Sequence, residues 1–136
     1  MKKRFPLLYV SLILTAILAA FHFVASAFFL YWIYWWSDVV MHFFAGVCGA
    51  LTTYAVLFDS GWWKLWQKEF PQIWMRILIA FTSVMIVGVL WEVFEYANGL
   101  TDSVEGYTLD VINDLIADAL GAILVLLVLK RFLKFS

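Results

Sequence analysis

The chain has no lysine or arginine between Arg76 and Lys130, although that stretch carries Glu92, Glu95, Asp102, Glu105, Asp110, Asp114 and Asp118. Several of these acids fall inside sequence apolar enough to cross a bilayer. A carboxylate at the centre of a membrane helix costs roughly 2.5–3.5 kcal/mol on insertion scales. With no basic partner at hand, the offset must come from protons, from a histidine or from a bound cation. Cysteine is nearly absent as well. Cys48 stands alone, which excludes an intrachain disulfide and a cysteine-based metal site. Nucleic acid is excluded as a partner, because the nine basic residues form short flanks and no grooved patch. There is no long linker, no low-complexity run and no clear internal repeat.

What the chain has in quantity is apolar surface. It is 65% hydrophobic over 136 residues, with a mean hydropathy of +0.93, whereas soluble domains are closer to half apolar. Four stretches reach the roughly 20 residues that a spanning helix needs: residues 7–30, 39–58, 72–97 and 110–132. The expected fold is all-α, a single transmembrane domain over residues 1–136. It is an integral-membrane four-helix bundle with a short interfacial helix between spans two and three. That helix is read over residues 61–70, where Trp62, Leu65, Trp66 and Phe70 share one face and Pro71 ends it.

Orientation follows from the basic residues. Lys2, Lys3 and Arg4 precede the first span, Lys64, Lys68 and Arg76 lie around the second connection, and Lys130, Arg131 and Lys134 end the fourth. The connections around 31–38 and 98–109 hold none. Both termini are therefore expected in the cytoplasm of a multi-pass protein. Tyr31, Trp32, Tyr34, Trp35 and Trp36 mark the outer boundary, and Trp62, Trp63, Trp66 and Trp74 the inner one. The first span has a rival reading. Lys2-Lys3-Arg4, an apolar run and Ala25-Ser26-Ala27 resemble a cleavable secretory signal. The apolar run continues past Ala27, so a retained helix is the expectation.

This topology gathers the polar residues in the outer half. Asp38 and His42 are four apart on span two, Glu92 and Glu95 three apart on span three, and Asp110, Asp114 and Asp118 form a ladder on span four. Each set shares a helix face. Small residues extend those faces as the pairs Ala45/Gly49, Gly46/Ala50 and Ala117/Gly121, with Gly88 on span three; such pairs let membrane helices approach closely. His42, Glu92, Glu95, Asp114 and Asp118 are read as one site for a divalent metal ion. Asp38, Asp110 and His22 are possible additional members. Asp38 and Asp110 also have a plainer reading as acids at helix starts, with Thr108 as a cap for the last helix. Oxygen-rich ligands with a histidine suit magnesium, manganese, iron or zinc.

Ser37-Asp38-Val39-Val40-Met41-His42-Phe43-Phe44-Ala45-Gly46 resembles the Asp…His-Phe…Gly segment of the YjdF-like and VanZ-like small membrane proteins. Trp91-Glu92-Val93-Phe94-Glu95 resembles the glutamate segment of the YjdF-like group. Tyr107-Thr108-Leu109-Asp110 through Asp114-Leu115 to Gly121-Ala122 resembles their shared final helix. VanZ-like proteins usually have lysine, glutamine and asparagine where this chain has Val39, Glu95 and Asp118, so the YjdF-like resemblance is the better one. It implies a multi-span membrane protein and no particular reaction.

Three uses fit this reading. The first is a metal-dependent enzyme acting on a lipid or envelope precursor, with a metal-bound water as attacking group, since no nucleophile with an evident base is visible. The second is a proton or cation pathway. The third is a structural or accessory role without catalysis. The catalytic residues and the oligomeric state are not legible at this level.

Overall fold

The computed structural model describes residues 6–62, 68–70, 72–100 and 106–133. It is an all-α bundle of four long apolar helices with an additional short helix. The long helices are α1 (Pro6–Ala27), α3 (Trp36–Tyr54), α4 (Ile73–Asn98) and α5 (Tyr107–Leu133); the short one is α2 (Leu30–Ile33). All four long helices are apolar and long enough to cross a membrane, and the protein is a multi-pass membrane protein. Residues 63–67 of the expected interfacial helix lie outside the described residues.

Local chemistry sets the ends. α1 stops at Ala27, short of residue 30, because Phe29 takes a left-handed conformation at φ 57°. That turn starts α2, and Ser37 Oγ then donates to the carbonyl of Tyr34 at 2.7 Å to fix the corner into α3. α3 begins at Trp36, before the expected 39, and runs into a π-helical segment, Ala55–Asp59. The Ser60 amide closes that segment onto the Ala55 carbonyl at 2.8 Å. α4 ends at Gly99, whose φ of 65° suits glycine, and the Leu100 amide returns to the Glu95 carbonyl at 3.0 Å. α5 starts at Tyr107, so Thr108 lies inside the helix and does not cap it.

The tightest seam joins α3 and α5. A Cβ at Gly46 would overlap the backbone carbonyl of Asp118, and one at Gly121 would overlap that of Phe43. These helices therefore touch backbone to backbone, which is the use of small residues expected between membrane helices. They run in the same direction, with 42 and 46 beside 118 and 47 beside 121. α4 runs against them, placing Gly88 beside Asp118 and Glu92 beside His42. α1 leans on α3 and the π segment; its backbone stays clear of α4 and α5, and its His22 ring meets Trp91 of α4 edge-on at 6.3 Å.

The two halves of the bundle differ. Toward the end where α4 begins, Ala50, Tyr54, Phe58, Ala80, Val84, Ala122, Leu126 and Leu129 form a dry apolar cluster. Lys130 sits 3.3 Å over the Trp74 ring and Arg76 5.5 Å over the Phe58 ring, so cations cover that end. Toward the end where α3 and α5 begin, the interior is polar.

Candidate metal centre

The polar half is built on the α3–α5 seam. His42 lies one turn before Gly46, and Asp114 one turn before Asp118, so the close approach at Gly46 carries the imidazole against both acids. α4 adds Glu92 from the third side, one turn beyond Gly88. All four side chains are deeply buried: Asp114 is 1% exposed, Asp118 3%, Glu92 4% and His42 7%.

His42 is the hub. Its Nδ1 lies 3.3 Å from Asp118 Oδ2. Its Nε2 lies 3.9 Å from Glu92 Oε1 and 3.9 Å from Asp114 Oδ2. With the proton on Nδ1 donated to Asp118, the Nε2 lone pair faces the two other carboxylates. Glu92 Oε1 and both Asp114 oxygens are buried and accept no hydrogen bond. Burying unsatisfied charged acceptors is expensive, so their common direction marks a place for a positive partner. A buried His/Asp/Glu cluster capable of coordinating a metal ion is therefore present. Ligand atoms of Asp38, His42 and Asp114 lie within 4.8 Å of one another, as do those of His42, Glu92 and Glu95.

Asp118 stands apart from those two groups and meets the opposite nitrogen of the ring. Its position depends on Gly88, where a Cβ would come 2.6 Å from Asp118 Oδ2, the oxygen paired with His42. Asp110 lies in the first turn of α5, and His22 faces Tyr31; among the described residues neither belongs to a ligand group.

The centre opens on a cavity of about 770 Å³ between α1, α3, α4 and the start of α5. Asp38, His42, Glu95, Asp110 and Asp118 face it, whereas Glu92 and Asp114 stand behind His42. Sequence reasoning had not singled out Tyr31, Trp35 and Trp91 as wall residues of this cavity. Tyr31 reaches it because of the left-handed turn at Phe29, and its hydroxyl lies 2.9 Å from His22 Nδ1. Burial pushes the Tyr31 hydroxyl up to about 12, helped by the negative charges of Asp38 and Glu95. It therefore keeps its proton and shares a hydrogen bond with His22 Nδ1. No pattern in the sequence announces a left-handed phenylalanine.

A family model described as "Predicted membrane protein (DUF2238)" matches residues 1–135, and the chain belongs to this family. No curated protein and no solved structure matches the chain. The family carries the multi-span membrane character that composition implies; its description includes neither the YjdF-like nor the VanZ-like name.

Proposed function

We propose that this family member binds a divalent cation between His42 Nε2, Glu92 and Asp114, and uses it to hydrolyse a lipid or envelope precursor at the outer face of the membrane. The observation that supports it is the set of unpaired, buried oxygens of Glu92 and Asp114 facing the same imidazole nitrogen. Asp38 falls within one ligand group with His42 and Asp114, and Glu95 within another with His42 and Glu92, so each buried acid has its own third donor on the cavity side. Asp118 then acts through the ring: a carboxylate on the far nitrogen fixes the tautomer and raises ligand basicity. A cation so held activates water or clamps a phosphate. Magnesium, manganese, iron and zinc all suit this donor set. The YjdF-like resemblance rests on the same residues and belongs to the same proposal.

The outer-face placement rests on the distribution of lysine and arginine, with both termini cytoplasmic. The cluster from Ala50 to Leu129 speaks against a pathway through the bundle, since it contains no carboxylate, histidine, lysine or arginine to carry charge onward from the acids. Metal analysis of the purified protein in detergent tests the cation, with Glu92→Gln as control. Protein that repeatedly lacks metal and gains no stability from added Mg²⁺, Mn²⁺, Fe²⁺ or Zn²⁺ would leave shared protons as the neutralising charge. Labelling of cysteines introduced at positions 3 and 104 tests the sidedness. An external, impermeant reagent should reach only Val104→Cys; reaction at Lys3→Cys would reverse it.

A further inference from the structure

The cavity has a shape and a charge that the metal centre does not explain. α1 packs on α3, and α4 packs on α3 and α5, while the backbones of α1 and α4 stay apart and the two helices meet through the His22 and Trp91 rings, 6.3 Å between centroids. The slot between them runs beside the cavity. In a bilayer such a slot faces hydrocarbon, so an occupant reaches it sideways from the membrane.

Its depth suits a chain. The α4 wall extends from Ser83 to Glu95, roughly 18 Å at about 1.5 Å per residue. That is more than half of a hydrocarbon core about 30 Å thick. Leu18, Ala19, Val84 and Val87 line the long part, with Thr15, Thr53 and Ser83 toward its far end. The head end is different. Asp38, Glu95, Asp110 and Asp118 line it with His22 and His42 and the rings of Tyr31, Trp35 and Trp91, so carboxylates outnumber imidazoles there. Among the described lining residues there is no lysine or arginine. A headgroup bearing only phosphate would meet carboxylates there. An ammonium would meet opposite charge and aromatic faces, the pairing by which quaternary ammonium groups are commonly held.

We propose that the cavity binds an amine-headed amphiphile, its ammonium among Asp38, Glu95 and the aromatic rings and its single hydrocarbon chain in the slot between α1 and α4. This deepens the lipid reading above and rests on it, but it needs no metal. It names the substrate class: a membrane lipid carrying a primary or quaternary amine.

The test uses the full chain, stripped of metal, in a neutral maltoside detergent. The probe is a long-chain alkylamine with a photoactivatable group at its tail. Cross-links should map to the Ala19 and Val87 walls. Unlabelled alkylamine should compete at least tenfold better than the alkyl phosphate or alkyl alcohol of equal length. Asp38→Asn and Glu95→Gln should each weaken amine binding about tenfold, and Ala19→Trp should block the tail cross-link with helicity and Mn²⁺ binding retained. Equal competition by the alcohol means hydrophobic partition alone and overturns the proposal. Preference for the phosphate, with or without Mn²⁺, overturns it in favour of an anionic headgroup. Amine binding without any Mn²⁺ binding defeats only the metal reading; Mn²⁺ binding without amine preference defeats only this one.

Discussion

Helices α3 and α5 touch backbone to backbone, whereas α1 and α4 keep their backbones apart and meet through the His22 and Trp91 rings. Both pairs are built from similarly apolar sequence. The difference lies in where side chains are missing. α3 and α5 present Gly46 and Gly121 to each other's carbonyls, and lipid-soluble helices associate through such close van der Waals contact, since burial from lipid gains nothing. α1 contains no glycine, and α4 has spent its single mid-helix glycine on Asp118. The seam therefore holds His42 against Asp114 and Asp118, and the space between α1 and α4 is left to the cavity.

The largest effect is expected from breaking the seam. Gly46→Leu should destabilise the detergent-solubilised protein by at least the ~1–3 kcal/mol of an overpacked core, and metal binding should go with it. Ala19→Leu on the open side should leave the melting temperature nearly unchanged. Thermal unfolding followed by circular dichroism compares them; equal melting would show that the seam is no closer than the gap.

Next comes the centre itself. Glu92→Gln or Asp114→Asn should lower metal affinity by at least the roughly 10–100-fold seen when an outer partner of a ligand is removed. Asp118→Asn should fall at the lower end, about tenfold, because it touches the far nitrogen. Calorimetric titration with Mn²⁺ separates the two. A loss as complete for Asp118→Asn as for Glu92→Gln would make Asp118 a ligand.

The smallest effect belongs to the mouth of the gap. Burial and the nearby carboxylates disfavour the Tyr31 phenolate, so its folded value of about 12 lies above the ordinary 10. Its contribution to stability is thus complete below pH 10 and lost as the pH rises through about 12. Subtracting the ultraviolet titration of Tyr31→Phe should reveal one tyrosine that ionises only near the end of that range. A difference signal centred at 10 would place Tyr31 in open water.

Much of this was legible before any coordinates. Asp38/His42 and Asp114/Asp118 are spaced for one helix face, Gly46 and Gly121 are spaced for a close contact, and the basic flanks set a common depth. Together these bring His42, Glu92 and Asp114 to one level. Periodicity does not report which side of a ring a neighbour meets; the geometry puts Asp118 on His42 Nδ1, opposite the nitrogen that faces Glu92 and Asp114. Nor does periodicity report crossing angles, and the opening between α1 and α4 is a matter of angle and absent backbone contact. The turn at Phe29 and the π segment at Ala55–Asp59 are backbone choices made by packing, with no composition of their own.

Gly88 carries one more consequence. Its hydrogen is the clearance that lets Asp118 Oδ2 stay on His42 Nδ1. An imidazole gripped at one nitrogen cannot flip end for end. Without that grip, a half-turn of the ring would put Cδ2 where Nδ1 stands and Cε1 where Nε2 stands, and the centre would present a donor and a carbon in turn. Gly88→Ala therefore acts as an unlocking mutation that alters no ionisable group. Affinity should drop through lost preorganisation, and histidine NMR signals should change from one ring environment to an exchanging pair.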